Sequence, residues 1–393
     1  MNGARLDAAS RSAVRAAATF GWDVGGAHVK VAMTDADGGL LDIAQWACPL
    51  WQGLDHLTRT IDRVFARWPA AQASAAQHAV TMTGEMADCF ENRAQGVRAI
   101  VAELAARLGP GLGFYAGDAG WFSPAACEAG WRSVASANWL ATAHWVAARV
   151  SHALLVDIGS TTTDIIPIAG GRVATRAATD AERLATGELV YQGVVRTPLC
   201  ALAQRVAFGG VQVNVMNEWF ATTADVYRLT GELAPHYDQH PGADNGPKTP
   251  AASRARIARM IGRDAGEASD ADWRAFAQRW REAQRREIGA NLARVVAAHP
   301  ALAGAPLVGA GCGRFLVAEL ARETARGYVD FGALAAGAAR WAHGAEFAER
   351  EDWAATCAPS VAVALLAAAR SAQGLLDSGG APSRAARAAP EDA

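Results

Sequence analysis

Lysine is almost missing from this chain. Of 37 basic residues only Lys30 and Lys248 are lysines, and the rest are arginines. Each lysine is therefore worth testing for a chemical role. Net charge is missing too: 37 basic residues against 39 acidic ones leave −2. No general attraction to nucleic acid or to an anionic membrane follows from that balance. The six cysteines form no CxxC pair, which excludes a zinc ribbon or a thioredoxin-type motif. Scattered cysteines read as reduced thiols of a cytoplasmic protein. Residues 1–18 have no apolar h-region, so no signal peptide is expected. The longest apolar run near the C-terminus, Val361 to Ala369, is half of the ~20 residues that span a bilayer. What is present is a chain of 393 residues, 51% hydrophobic, long enough for two domains with sizeable cores.

The pattern of apolar runs and turn residues repeats. Phe20 to Val24, Val29 to Thr34 and Leu40 to Cys48 read as three strands joined by Gly25-Gly26 and by an Asp/Gly cluster, an antiparallel meander. Helices follow over Leu54 to Trp68 and Gly96 to Leu108, with short strands at His78 to Thr83 and Leu112 to Ala116. Ser133 to Val150 reads as one helix. The strand–glycine turn–strand rhythm then restarts: Ala153 to Asp157, Asp164 to Ile168, and Arg172 to Ala177. Arg254 to Ile261, Trp273 to His299 and Arg314 to Thr324 read as helices, and Pro235 to Thr249 as a long loop.

Three glycine-rich turns close apolar strands: Asp23-Val24-Gly25-Gly26-Ala27-His28-Val29-Lys30, Asp157-Ile158-Gly159-Ser160-Thr161-Thr162-Thr163-Asp164, and Gly309-Ala310-Gly311-Cys312-Gly313. Glycine lets a backbone N–H approach a phosphate oxygen without a side chain in the way. Threonine hydroxyls add donors. A carboxylate at a strand end suits hydrated Mg²⁺, which keeps most of its waters. Asp23, Asp157 and Asp164 are the metal candidates. Gly25, Gly26, Gly159, Thr161, Thr162, Thr163, Gly309, Gly311 and Gly313 are the phosphate-binding candidates.

This constellation resembles the actin–hexokinase–Hsp70 superfamily, whose two phosphate motifs and adenosine motif match the three turns in order. The resemblance implies an α/β fold of two RNase-H-like domains around a cleft, with Asp23 and Asp157 facing each other. A closer resemblance runs from about Phe20 to Leu366. It rests on the first turn, on Met82-Thr83-Gly84-Glu85-Met86-Ala87-Asp88-Cys89-Phe90, on Ser136-Ala137-Asn138-Trp139-Leu140-Ala141, on Asp157 to Pro167, on Gly193-Val194-Val195-Arg196-Thr197-Pro198, and on Phe220 to Tyr227. These segments are similar to the tetrahydromethanopterin-linked C1 transfer family, a relative of the hydantoinase A/oxoprolinase proteins. Where that family usually carries Thr-Ala-Asp-Gly, this chain has Gly242-Ala243-Asp244-Asn245-Gly246. The resemblance implies a transferase that condenses an aminomethyl-furanmethanol diphosphate with γ-glutamyltyramine. A furfuryl aryl ether forms and diphosphate leaves, as in methanofuran biosynthesis.

On that reading Mg²⁺, the turn amides, Thr161 to Thr163 and Lys30 neutralise the departing diphosphate. A phenol with a pKa near ~10 needs a base. Glu85 is the first candidate, Asp88 the second and His28 a third. Glu85 and Asp88 could equally serve a helix terminus. Arg196 would grip a substrate carboxylate or be a surface residue. Asn138 and Trp139 read as packing. The partners expected are small molecules, with neither nucleic acid nor membrane. ATP stays open, because a small-molecule kinase using Gly117-Asp118, or a nucleotide-binding regulator, would share the fold. The expected layout is an extension over 1–18, disordered or loosely helical, then a first domain over 19–150. A second domain covers 151–345, with a helical insertion at about 215–300. A C-terminal helix over 346–372 packs back on the first domain, and 373–393 is a disordered tail.

Overall fold

The computed structural model describes residues 18–338 and 345–372. The expectations for the terminal extension, Ala18 apart, and for the tail lie outside these residues. The first sheet contains β1 (Thr19–Val24), β2 (His28–Thr34), β3 (Leu40–Ala47), β4 (Gln77–Met82), β5 (Leu112–Tyr115) and β6 (Trp121–Phe122), in the order β3-β2-β1-β4-β5-β6. β2 and β3 pair antiparallel, and β4 and β5 join β1 in parallel. The second sheet contains β7 (His152–Ile158), β8 (Thr163–Ala169), β9 (Arg172–Val173), β10 (Leu189–Val190), β13 (Leu307–Ala310) and β14 (Tyr328–Asp330). Its order is β10-β8-β7-β13-β14, with β9 on the edge of β8. Each sheet is a meander whose first strand then takes parallel partners. That is the RNase-H-like topology, present twice, and it makes this an α/β protein of the actin–hexokinase–Hsp70 type.

Two sequence expectations change. Helix over Ser133 to Val150 is interrupted: two single turns, Ala126–Ala129 and Trp131–Val134, precede helix Asn138–Ala147. The break falls at Ser136, whose φ of 50° is incompatible with a right-handed helix. The third strand of the second meander is two residues long rather than six. It pairs with β8 only at Ile168 and Ala169. The next position on β8 is Pro167, which has no N–H to continue the ladder.

The insertion also begins earlier than 215. Its own core starts at Leu199 and gathers Val206, Ile257, Trp273, Phe276 and Trp280. Strands β11 (Arg205–Phe208) and β12 (Val211–Asn214) form a hairpin in it. Their turn, Gly209-Gly210, has φ of 58° and 79°, the two-glycine hairpin geometry.

The last helix, Ala358–Ala372, lies against β1, β2, β4 and helix Asn138–Ala147. Val361, Ala364 and Leu365 share a core with Ala32 and Leu40 of the first sheet and Leu155 and Val308 of the second. Among the described residues no single helix is long and apolar enough to cross a membrane. The close approach needs glycine: a Cβ on Gly21 would sit 2.2 Å from the Ser360 carbonyl oxygen and 2.6 Å from the Ala364 Cβ. Gly21→Val is expected to cost about 3 kcal/mol by overpacking, read as a lower midpoint in urea unfolding.

Candidate active site

Register places the charges. On β1 and β2, Asp23 and Lys30 are directly opposite partners. On β7 and β8, Asp157 and Asp164 are partners in the same way. The two hairpins are thus equivalent, with a cation at the second position in one and a carboxylate in the other. They converge. Lys30 lies 3.6 Å from the Asp23 carboxylate and also feels Asp157. Burial would lower the Lys30 pKa, but Asp23 and Asp157 outweigh it and hold the ammonium above the ordinary lysine value. Lys30 is therefore a fixed positive charge, not a proton carrier.

The three carboxylates differ. Asp23 is 3% exposed, pairs with Lys30 and accepts from the Asn138 amide at 3.4 Å. Asp164 accepts from Arg183 at 2.8 Å. Arg183 is itself buried, with its guanidinium 4.0 Å from the centre of the Trp139 ring. Asn138 and Trp139 thus belong to the site rather than to packing alone. Asp157 has no cation bonded to it. Burial, and repulsion from Asp164, raise its pKa to about 7, against the pull of Lys30. No group of three His, Cys, Asp or Glu among the described residues stands at metal-binding spacing. Of the three expected metal carboxylates, Asp23 pairs with Lys30 and Asp164 with Arg183. The uncompensated carboxylate at Asp157 fits a single hydrated cation of the Mg²⁺ kind.

The turns divide just as clearly. Gly25 N–H bonds to the His28 carbonyl and Gly159 N–H to that of Thr162, closing each hairpin. The N–H groups of Gly26, Ser160, Thr161 and Thr162 meet no backbone carbonyl. The Thr161 hydroxyl accepts from Arg196 at 3.1 Å. Thr163 departs from expectation: its hydroxyl is buried and donates to the Gln192 carbonyl. The third turn departs as well. Gly311 N–H donates to Ala355 and Gly313 N–H to Ile158, so neither faces a ligand. Their need for glycine is steric. A Cβ on Gly311 would lie 2.2 Å from the Ile158 oxygen, and one on Gly309 would lie 2.7 Å from the Tyr328 ring. The turn buttresses the end of β7, which carries Asp157.

The Arg196 guanidinium has no carboxylate partner among the described residues. It donates to Thr161 and stacks 4.8 Å from the Trp51 ring centre. The loop after Pro235 reaches across to the first domain here. Gln239 donates to the Gln45 carbonyl, and His240 Nε2–H to that of Ala27. His240 packs edge-on against His28, 4.6 Å between centres. His28 is 5% exposed, and its Nε2 has no hydrogen-bond partner. Burial, together with His240, Lys30 and Arg196, keeps its pKa well below the usual histidine value. Asp244 of the altered loop is anchored by Arg256 at 2.8 Å.

Glu85 is fully enclosed, bonded to Ser136 at 2.8 Å with Arg93 at 3.4 Å. A carboxyl so enclosed does not meet an acceptor substrate. Asp88 lies exposed on the following turn. Sequence reasoning passed over Arg183, Trp51 and His240. For Arg183 a signal existed: Thr179 and Glu182 form a capping box that starts helix Asp180–Thr186 and sets its register.

The chain is similar to several known proteins. The synthase of (4-{4-[2-(γ-L-glutamylamino)ethyl]phenoxymethyl}furan-2-yl)methanamine from Methanocaldococcus jannaschii is 31% identical over 215 residues, 54% of this chain and 62% of that one. The like-named protein of Methanococcus vannielii is 51% identical over 73 residues, 19% of this chain and 32% of that one. The matches thus span under two thirds of either relative. A glucokinase of the ROK family from Streptomyces griseus superposes with a TM-score of 0.41 at 17% identity, covering 89% of this chain and 98% of that one. Residues 77–337 match the hydantoinase/oxoprolinase family, 261 of the 393 residues. The chain belongs to the hydantoinase/oxoprolinase family.

Proposed function

We propose that this protein is a transferase that joins an aminomethyl-furanmethanol diphosphate to the phenol of γ-glutamyltyramine. It would act in the cytoplasm, making a methanofuran-type cofactor that supports tetrahydromethanopterin-linked oxidation of formaldehyde. The observation that carries the reading is the run of open N–H groups at Ser160, Thr161 and Thr162, with the Arg196 guanidinium bonded to Thr161. Such a cradle suits a polyphosphate. The names of the two synthases supply the rest of the substrate.

In the reaction the furfuryl C–O bond breaks, and its electron pair leaves with the diphosphate. The furan ring stabilises the CH₂ cation, the phenol oxygen bonds to it, and the phenolic proton is released. Lys30 and Arg196 hold charge against the leaving group throughout. Gly26 N–H and the Ser160–Thr162 amides bind its oxygens, and His28 Nε2 offers a further neutral partner. Mg²⁺, when bound beside Asp157, would add positive charge to the same departing oxygens. Asp88 is the exposed carboxylate on the Glu85 turn, and it is the proposed proton acceptor.

Purified protein with Mg²⁺ and both substrates is expected to yield the ether and diphosphate by mass spectrometry, without ATP. Absence of the ether would overturn the reading. Arg196→Met is expected to raise the KM for the diphosphate substrate about 10- to 100-fold, since a charged hydrogen bond contributes ~1.5–3 kcal/mol. An unchanged KM would remove Arg196 from the cradle.

A second reading, a nucleotide-dependent kinase or regulator, is favoured by one feature. A cavity of about 310 Å³ opens beside the third glycine turn, lined by Tyr237, Cys312, Arg314, Tyr328, Asp330 and Asp352. Arg314 is already paired there with Asp330 and Asp352. Tight ATP binding by calorimetry, with no ether formed, would move the assignment to this class.

A further inference from the structure

Ser136 has more oxygen neighbours than its single proton can serve. Its hydroxyl oxygen lies 2.8 Å from Glu85 Oε1 and 2.9 Å from Asp180 Oδ2, and it accepts from Arg93 at 2.8 Å. Both oxygen–oxygen distances are those of O–H···O bonds, and each needs a hydrogen. A serine hydroxyl carries one. The second must come from a protonated carboxyl.

Glu85 is the carboxyl that holds it. Its side chain is 0% exposed, whereas that of Asp180 is 21% exposed and reaches water. Glu85 Oε2 is buried with no hydrogen-bond partner. An ionised carboxylate would leave charge there unsolvated, and a neutral acid leaves only a carbonyl oxygen. Burial pushes the Glu85 pKa upward, against the pull of its own backbone N–H, Ser136 and Arg93.

The bond joins the two domains. Glu85 and Arg93 come from the first, and Asp180 opens helix Asp180–Thr186 of the second. Ser136 is held at φ 50°, a conformation that costs ~1–3 kcal/mol and persists only where several partners impose it. Two residues on, Asn138 donates to Asp23. We propose that Glu85 is kept protonated and, through Ser136, both ties the two domains together and aims Asn138 at Asp23. Glu85 is thus a positioning residue. The inference does not depend on the identity of the substrate.

The charged groups that face Glu85 are Arg93 and Asp180. As pH rises through the raised Glu85 value, loss of the proton sets a second negative charge against Asp180. The folded state holds this proton where the unfolded chain has released it. Stability from this site therefore falls as pH climbs from the ordinary glutamate value, ~4.3, toward the raised one.

The test is ¹³C NMR of the full chain labelled at glutamate and aspartate side-chain carboxyls. One glutamate signal, missing in Glu85→Gln, is expected to titrate well above the rest. Asp180→Asn, which removes the opposing charge, is expected to lower that titration, and it serves if Glu85→Gln does not fold. Opening over residues 131–138 and 180–186, read as hydrogen exchange corrected for its intrinsic base catalysis, is expected to rise by up to about tenfold per pH unit between the ordinary glutamate value and the raised one in the wild type. It should stay flat in Glu85→Gln, whose amide donates to Ser136 at every pH. The proposal falls if every glutamate titrates in the ordinary range. It also falls if Glu85→Gln loosens with pH as the wild type does, or if the high titration belongs to Asp180.

Discussion

Lys30→Met should lose ether-forming activity by about 10²–10³-fold, the scale seen when one preorganised charge-stabilising group is removed. The same change should destabilise the fold. Lys30 is the cation nearest Asp23 and also acts on Asp157, and its side chain is only 20% exposed. Removing one partner of a buried pair leaves an uncompensated charge and costs ~3–5 kcal/mol. Asp23 escapes that cost by taking up a proton, so the deficit of the variant should shrink in acid and grow as pH rises. The measurements are ether yield by mass spectrometry and urea midpoints at several pH values. Lys30→Arg keeps the charge with a different shape, and should restore more stability than activity. Full activity in Lys30→Met would show that the ammonium does not face the leaving group.

Gly193→Ala should be nearly as damaging, although Gly193 carries no side chain. A Cβ there would lie 2.4 Å from the Thr161 nitrogen and from the Ser160 carbonyl carbon. The Gly159–Thr162 turn would have to shift. It cannot do so freely, because Val194 N–H bonds to the Gly159 carbonyl, and Val195 and Arg196 N–H bond to that of Ser160. The Gly193 carbonyl is pinned in turn by Thr197, Thr223 and Gln284. The last of these is oriented by the Tyr227 hydroxyl at 2.7 Å. Overpacking of this kind costs ~1–3 kcal/mol. A 1 Å displacement of positioning groups can lower turnover about 10²-fold. Steady-state kinetics should show the loss mainly with the diphosphate substrate, while the phenol acceptor keeps its KM. Equal losses for both would place the turn elsewhere in the reaction.

Much of this site could be read along the chain, because the relevant information is local. Strand alternation, a glycine-bearing turn and a carboxylate specify each hairpin, and the spacing from Asp23 to Lys30 equals that from Asp157 to Asp164. Register then makes both pairs direct neighbours. The duplicated meander, the parallel strands after it and the two converging turns all follow from short-range pattern.

What the sequence could not settle were partnerships between residues far apart. Thr163 looked like its two threonine neighbours, but Gln192 lies within reach of its hydroxyl. Gly311 and Gly313 looked like ligand amides, but Ala355 and Ile158 take their hydrogens. Glu85 looked like a base on a turn, yet Ser136 and Asp180, 51 and 95 residues away, enclose it. The carboxylate left for a cation was decided by Arg183, whose side chain says nothing about its target until the sheets pack. Local pattern determined where the turns and charges would sit. Tertiary packing determined which of them were already satisfied, because a donor or a charge is used up by whatever the fold brings within 3 Å of it.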